Sequence, residues 1–276
     1  MIRTVANNVW AFDLEWVPDP PSGRRCYDLP ADMPDDEVLQ VMWARGGAGD
    51  DDPQPFLKYT LCRIVSAAVV VRRQRDERVT VGLATLPHVG DGPMAESELV
   101  ARFLTQLGQE DPRPQLVGFN SRTADVPILV QRGIVNRIAA VEFCHRPAKP
   151  WEGVDYFAKG SEWHIDIKDI VSGWGKGTPS LHEFAAACGI PGKMGTTGDD
   201  VLALWRAGDV RRIVEYNQYD ALTTYLVWLR LALFAGLLSP EGHAAEEERL
   251  REMLCRRIVA GDGYLQCFLD KWAALQ

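Results

Sequence analysis

The first part of the chain carries the alternation of apolar and polar positions that is typical of β-strands with one buried face. The pattern predicts strands over 8–14, 59–72 and 78–86, a charged turn over 73–77, and a short buried strand over 115–119. The first three strands follow one another with no helical period between them. We therefore expect them to form a meander, to which the fourth strand is added after a helix.

The rest of the chain has the apolar spacing of helices. Leu99, Phe103 and Leu107 form an apolar stripe on a helix predicted over 95–107. Asp209 is a suitable N-cap for a long helix, which Pro240 is expected to stop. Further helices are predicted over 126–138, 180–188, 199–206, 209–238 and from 241 onward, with a break at 261–263. Strands followed by helices that alternate with another strand predict a layered α/β fold.

The segment 17–58 lacks a sustained period. It contains seven of the 17 prolines, and Asp50, Asp51 and Asp52 stand near its end. The composition predicts a long surface insertion and not a separate domain. Loops of this length are usually either functional or disordered.

Composition narrows the class of protein. The chain has 276 residues, 46% of them hydrophobic and 25% charged, which allows a large core and excludes wholesale disorder. No secretory signal is evident at the start, and Arg230 interrupts the longest apolar stretch, 222–238, which is therefore interpreted as a core helix. The six cysteines form no C-x-x-C pair and are expected to be reduced. We expect a soluble cytoplasmic protein.

The formal net charge of -8 argues against a protein whose main role is to coat nucleic acid. This negative charge is compatible with an enzyme in which clustered carboxylates bind metal ions. Asp13 and Glu15, two residues apart on the first strand, leave the same face of the sheet. Two anions on one face repel each other unless a cation lies between them. The alternative is that they only cap a strand edge.

A second set of candidates lies on the long helix. Tyr216 and Asp220 are spaced i and i+4 and project from one side, which faces inward. A carboxylate on an inward face must be paired or bound to a metal, and the alternative is a bond to a backbone amide or an arginine. Asp125 follows the fourth strand, where a plain helix N-cap is the alternative.

Three segments together resemble a known family. The sequences FDLE at 12–15, GFNSRTAD at 118–125 and YNQYD at 216–220 are similar to the three motifs of the DEDD superfamily of 3′–5′ exonucleases. The third motif has the form of the tyrosine (DEDDy) branch, because the histidine branch would have His where this chain has Glu215. One departure is Ala124, where the family commonly has an aromatic residue; it predicts looser packing around Asp125 or an altered substrate preference.

The resemblance extends over about residues 9–238 and includes SLHEFAAACGIPGK at 180–193. It is strongest to predicted bacterial exonucleases related to the proofreading domain of B-family DNA polymerases. It implies an RNase H-like α/β fold, with a central mixed β-sheet flanked by helices and a C-terminal helical extension. Residues 1–240 would form the exonuclease domain, including the 17–58 insertion, and residues 241–276 the extension packed on it.

The family also implies a role for each candidate. Asp13, Glu15, Asp125 and Asp220 would be metal ligands and catalytic residues that hold two divalent ions, Mg²⁺ or Mn²⁺. Asp13 would bridge both ions, Glu15 and Asp220 would complete the site of the ion that activates water, and Asp125 would hold the second ion through water. Tyr216 would orient the attacking water by its hydroxyl. Hard cations of this kind prefer oxygen ligands.

The implied function is a metal-dependent 3′–5′ exonuclease that acts on nucleic acid with a free 3′ end, most simply single-stranded DNA, and releases nucleoside 5′-monophosphates. A free-standing DNA repair or turnover enzyme is expected. The alternatives are a 3′–5′ exoribonuclease of the same mechanism and a non-catalytic binding module. The candidate substrate-binding residues are Leu14, Trp16, Phe119 and Asn120. Trp16 would either stack on a base or pack in the core, Phe119 is expected in the core, and Asn120 could bind the terminal nucleotide.

The remaining features are expected to be structural. The arginine cluster at 72–75 is predicted on the solvated surface. Asp166 is also expected there, and a position near the cleft is the alternative. The glycine-rich segment SGWGKGT, 172–178, does not match the Walker pattern and is interpreted as a flexible loop, with a phosphate contact as the alternative. The apolar stripe of Leu265, Phe268, Leu269 and Trp272 is expected to pack on the domain's own core.

Overall fold

A five-stranded mixed β-sheet forms the centre of the protein. The computed structural model describes residues 2–149, 151–173, 177–195 and 197–276, with only the backbone at 199. Positions 174–176 of the glycine-rich segment lie outside the described residues. The strands are β1 (Asn8–Pro18), β2 (Cys62–Arg75), β3 (Arg78–Leu86), β4 (Gln115–Gly118) and β5 (His164–Asp166). Their order across the sheet is β3-β2-β1-β4-β5.

The first three strands form the predicted antiparallel meander, and β4 and β5 extend the sheet in parallel. The β1–β4 pairing is short and ends at Ala11 opposite Val117, whereas β1 and β2 remain paired as far as Pro18 and Cys62. The second half of β1 therefore has a free edge on the β4 side. This free edge positions the functional site.

Helices cover both faces of the sheet. They are α1 (Pro20–Tyr27), α2 (Asp35–Gly46), α3 (Glu96–Gln109), α4 (Asp125–Val135), α5 (Val141–Cys144), α6 (Ile167–Val171), α7 (Leu181–Ala187), α8 (Val201–Arg206), α9 (Val210–Phe234), α10 (Pro240–Val259) and α11 (Leu265–Ala274). Side chains alternate along β1, so Val9 and Ala11 pack towards α9, whereas Trp10, Phe12 and Leu14 pack towards α3 and α4. The α/β class and the central mixed sheet flanked by helices are confirmed, and they are consistent with an RNase H-like exonuclease fold.

The segment 17–58 is not the long loop that its composition predicted. It contains α1 and α2, and α2 buries Val38, Leu39, Met42 and Trp43 in the core that Leu14 also enters. The high proline content suggested a loop, but the prolines that belong to the helices lie at their starts and not in their interiors. Pro20 and Pro21 occupy the first turn of α1, where a missing N–H costs nothing.

Two other boundaries differ from the prediction. Strand β5 was not predicted, because three residues are too few to show an alternation. Helix α9 ends at Phe234, before Pro240, and Gly236 follows with a φ of 69°. Pro240 instead begins α10, with the Ser239 side chain accepting a hydrogen bond from the Gly242 N–H. Among the helices that the structure describes, none combines the length and the apolar composition that a membrane span requires.

A buried ion pair holds α10 against the sheet. Arg72 was expected on the surface, but its side chain is 2% exposed and donates from Nη2 to Glu246 Oε1 over 2.7 Å. The other Glu246 oxygen accepts from the Tyr225 hydroxyl at 3.1 Å. The expectation failed because Arg72 lies on a strand face that α10 covers. In the same core, α11 places Leu265, Phe268 and Trp272, with Leu269 half-buried beside them. The predicted division at residue 240 stays a prediction.

Glu246→Ala is expected to lower the free energy of unfolding by about 3–5 kcal/mol, because it leaves the Arg72 guanidinium buried without its counter-charge. Urea unfolding at neutral pH measures the loss. Glu248→Ala, on the same helix with a side chain 63% exposed, is the control and should change stability by less than about 0.5 kcal/mol. Equal stability of the two variants would contradict the role given to the pair.

Candidate active site

Three carboxylates converge where α9 crosses β1. One oxygen from each of Asp13, Glu15 and Asp220 lies within 4.8 Å of the others. The period of two along β1 directs Asp13 and Glu15 to the face that α9 covers, and Leu14 between them points into the opposite core. The sequence placed these residues on separate elements, and the packing of α9 on β1 brings them together.

Asp125 stands beside this group and anchors the free edge of β1. Its Oδ1 accepts the Leu14 N–H at 3.0 Å, a backbone donor that β4 does not reach. Asp125 is the first residue of α4 and is 4% exposed, whereas Ala124 occupies the N-cap position. The plain N-cap alternative therefore does not describe it.

Two buried polar residues hold the Asp13 carboxylate in place. Asn217 Nδ2 donates to Asp13 Oδ2 at 2.7 Å, and the Ser66 hydroxyl donates to Asn217 Oδ1 at 2.9 Å. Asn217 and Ser66 are both fully buried. Sequence reasoning missed this chain of contacts. The available signal was that Asn217 lies inside the YNQYD segment, next to Tyr216.

The site is electrostatically strained without a cation. Burial, followed by the charges of Glu15, Asp125 and Asp220, raises the pKa of Asp13 well above its usual range, and the hydrogen bond from Asn217 opposes this only in part. Burial and the charges of Asp220 and Asp125 raise the pKa of Glu15 in the same way. Burial raises the pKa of Asp125 to about 7 and that of Asp220 to about 6.

Tyr216 lies one helical turn before Asp220 on α9. Burial, and then the charges of Glu15, Asp220 and Asp13, raise its pKa far above the usual value. The hydroxyl therefore stays protonated and donates a hydrogen bond to Asp220, which lowers the pKa of that carboxyl against the larger effect of burial. In this state Tyr216 can orient an oxygen ligand but cannot act as a base.

Two of the predicted substrate-binding residues lie on β1. The Leu14 side chain is 2% exposed and belongs to the core, so only its backbone carbonyl is left to meet a substrate. Trp16 is half-buried, with its ring edge-on to Tyr59 at a centroid distance of 5.6 Å. A substrate contact for either residue stays a prediction.

The other two predicted residues follow β4. Phe119 is half-buried against the core on the α9 side. Asn120 has a φ of 68°, and its Oδ1 accepts from Lys168 Nζ at 3.0 Å and from the Thr123 hydroxyl at 2.7 Å. The turn is therefore held by several contacts, and binding of the terminal nucleotide by Asn120 stays a prediction.

Asp166, expected on the surface, is 3% exposed and orders this turn. Its carboxylate accepts the backbone N–H groups of Asn120 and Arg122, each at 2.8 Å, and of Lys168 at 3.0 Å. The expectation failed because β5 was not predicted. As the last residue of β5, Asp166 lies next to Gly118 in the sheet, directly below the turn that leads to Asp125.

Lys193 is a functional candidate that sequence reasoning missed. Its positive charge lowers the pKa of Asp220, as the hydrogen bond from the Tyr216 hydroxyl also does, against the larger effect of burial. The loop that carries Lys193 is fixed by its backbone, because its N–H donates to His182 Nδ1 at 3.1 Å and its carbonyl accepts from Lys271 Nζ at 2.5 Å. The signal was its position at the end of the family-like segment 180–193.

The donor set fits divalent cations with a preference for oxygen. Asp13, Glu15 and Asp220 supply carboxylate oxygens at one point, and Asp125 supplies another beside it. Their raised pKa values show that the protein environment alone does not compensate the negative charge. Mg²⁺ and Mn²⁺ prefer such ligands and retain some of their waters.

Comparison with protein families places most of the chain in a known family. The family described as "Predicted 3'-5' exonuclease related to the exonuclease domain of PolB" matches residues 54–272, well over half of the chain. The match includes Asp125, Tyr216 and Asp220 and begins after β1, so the placement of Asp13 and Glu15 rests on the structure. Among curated proteins, no match was found.

The stability of the metal-free protein is expected to fall as the pH rises from about 4 to 7. Unfolded carboxyls ionise at about pH 4, whereas folded Asp220 and Asp125 keep their protons to about pH 6 and 7. The unfolded state thus binds fewer protons in this window, and the free energy of unfolding decreases. Mg²⁺ or Mn²⁺ should therefore raise the Tm more at pH 8 than at pH 5. Each kcal/mol that the bound metal adds to the free energy of unfolding should raise the Tm by on the order of 2–4 °C.

The control is the double variant Asp13→Asn/Glu15→Gln, which removes two of the repelling charges. It should melt above the wild-type protein at pH 8 in chelator and lose the response to metal. Glu98→Gln, on the exposed face of α3, should behave like wild type. A metal response of equal size at both pH values would contradict this account of the site.

Proposed function

Because the chain belongs to the family of predicted 3′–5′ exonucleases related to the exonuclease domain of PolB, we propose that it removes nucleotides from the 3′ end of single-stranded DNA in a metal-dependent reaction and releases nucleoside 5′-monophosphates. The observation that carries the proposal is the convergence of Asp13, Glu15 and Asp220 within 4.8 Å. Asp125 and Tyr216 stand beside them, which supports assignment to the tyrosine branch of the DEDD superfamily.

The four carboxylates would hold two divalent ions. Asp13, whose charge interacts with those of the other three carboxylates, would be shared by the ions, Glu15 and Asp220 would hold one ion, and Asp125 would hold the other. The ions, when bound, supply activation of a water and neutralisation of charge on the scissile phosphate. Such a site needs ligands that do not rearrange, and the hydrogen bonds from Asn217 to Asp13 and from Leu14 to Asp125 meet that need.

The other side chains of the site would position the reactants. The protonated hydroxyl of Tyr216, held by Asp220, would orient the attacking water by a hydrogen bond. Lys193, whose charge reaches Asp220, would attract the phosphate of the terminal nucleotide. Both groups act by geometry and charge, so neither has to accept a proton.

The reaction is tested with a single-stranded DNA oligonucleotide labelled at its 5′ end and an RNA of the same sequence. A ladder that shortens from the 3′ end with Mg²⁺ or Mn²⁺, and is absent with chelator, is expected for DNA. Asp13→Ala and Asp220→Ala should each reduce the rate by about 10³-fold or more, because each removes several kcal/mol of transition-state stabilisation. Glu98→Ala, an exposed carboxylate of α3, should cleave like wild type.

Circular dichroism and the Tm accompany the assay, and both active-site variants should remain folded, since each removes a charge that repels its neighbours. Cleavage of RNA in preference to DNA would identify an exoribonuclease of the same mechanism. Retained activity in Asp13→Ala would show that the assignment of the site is wrong. If folded wild-type protein shortens neither strand with either metal, the function is that of a non-catalytic binding module.

A further inference from the structure

A cavity of about 530 Å³ is lined by Trp16, the residue that follows Glu15 on β1. Half of the residues in its wall are aromatic residues or prolines, among them Trp16, Trp43, Phe56, Pro53 and Pro55. The volume lies within the range of ordinary ligand sites, which is roughly 300–1,000 Å³. Most of this wall comes from the segment 17–58, which the proposed catalytic chemistry does not use.

Two aromatic residues of this wall, Trp16 and Phe56, are connected by the ring of Tyr59, which lies outside the cavity lining. Trp16 and Tyr59 meet edge to face at 5.6 Å, and Tyr59 and Phe56 do so at 5.4 Å. Phe56 is 68% exposed, although the next residue, Leu57, is 5% exposed and anchors the chain in the core. An exposed aromatic ring that continues two half-buried ones is typical of a surface that meets a ligand.

The aromatic run lies directly beside the candidate metal site. Trp16 follows Glu15 in the chain, at a Cα distance of about 3.8 Å. Opposite the step from Glu15 to Trp16, β2 contains one extra residue, Val65, and such bulges are over-represented next to active sites. Burial, and then the charge of Asp125, raise the pKa of Tyr59, so that ring also lies within electrostatic reach of the site.

The side chains that line the cavity indicate which class of ligand could bind there. Among the described residues that line the cavity, Asp52 is the one charged side chain, and no lysine or arginine is present. The guanidinium of Arg206 lies 5.9 Å from the centroid of the Trp43 ring, but it is paired with Asp36, so the wall offers little positive charge to a phosphate. A flat, apolar group such as a nucleobase can stack on the aromatic rings while its phosphates stay outside, towards the metal site and Lys193.

We propose that Trp16, Tyr59 and Phe56 form a stacking subsite that takes an unpaired nucleobase close to the 3′ end of a single strand. This inference rests on the proposed exonuclease function and adds Tyr59 and Phe56 to it. A base in a duplex already has its faces stacked on its neighbours, so only an unpaired end can enter. Phe56 thus gives the segment 17–58 a part in selecting single strands, together with Trp16 and Tyr59, which flank the segment.

Binding is measured in the presence of a chelator, which removes divalent metal ions, so that the strand is bound but not cleaved. The probe is a single-stranded DNA oligonucleotide with 2-aminopurine, a base whose fluorescence changes on stacking, at one of the last three positions of the 3′ end. Phe56→Ala should weaken binding roughly 5- to 150-fold and remove the fluorescence change, the range expected for one base stacked on an aromatic ring. Phe56→Tyr should bind like wild type.

Phe234→Ala is the matched control, because Phe234 is 78% exposed at the end of α9 and does not line this cavity. An oligonucleotide that lacks the base at the stacked position gives a second check. Removal of this base should weaken binding of the strand to the wild-type protein. It should have little further effect on binding to the Phe56→Ala variant. Since both phenylalanines are exposed, the Tm of each variant should stay close to that of wild type.

Each result has one consequence. If Phe56→Ala and Phe234→Ala bind the strand equally well, the stacking subsite is wrong, while 3′–5′ cleavage by the wild-type protein in the gel assay would leave the exonuclease function standing. If the wild-type protein neither binds nor shortens a single strand, both proposals are wrong. A loss of binding in Phe56→Ala that is equally large for blunt duplex DNA would refute the selection of unpaired bases.

Discussion

The mutual repulsion of desolvated carboxylates at the crossing of β1 and α9 is the constraint on which the rest of the structure depends. Asp13, Glu15 and Asp220 bring three oxygens within 4.8 Å in a buried site, and Asp125 adds its charge beside them. Such a group destabilises the folded chain unless a cation is bound or protons are retained. The fold must therefore provide enough stability elsewhere to hold four like charges together.

That stability comes from the layers around the site. The strands β1 and β2 are paired along the whole length of β1, and α9 buries most of its length against them. Polar contacts then refine the geometry: Ser66 and Asn217 orient Asp13, and Asp125 uses a Leu14 N–H that the short β4 leaves free. The C-terminal helices are tied to the same sheet by the buried pair of Arg72 and Glu246.

In the two proposals, one face of β1 would carry the catalytic carboxylates and the other would contribute to substrate selection. Asp13 and Glu15 leave one face towards α9, whereas Trp16, after the register shift, packs towards Tyr59 and the segment that carries α2. Charged and apolar surfaces thus meet within one strand. A nucleic acid strand offers the same pair of surfaces, phosphates along one side and bases along the other, which is why both proposals concern a single ligand.

The sequence by itself predicted the sheet meander and the long helix α9, because period-two alternation and helical spacing are local properties of the chain. The resemblance of three segments to the DEDD motifs supplied the five candidate site residues, whose roles stay predictions. The sequence pattern misjudged 17–58, Asp166 and Arg72, whose environments depend on partners distant in sequence: the core that α2 enters, the turn that follows β4, and Glu246 on α10. Only the tertiary structure decided that Asn217 would hold Asp13 and that Phe56 would extend the aromatic run from Trp16. Burial and charge proximity are set by the packing of distant elements, and no local pattern records them.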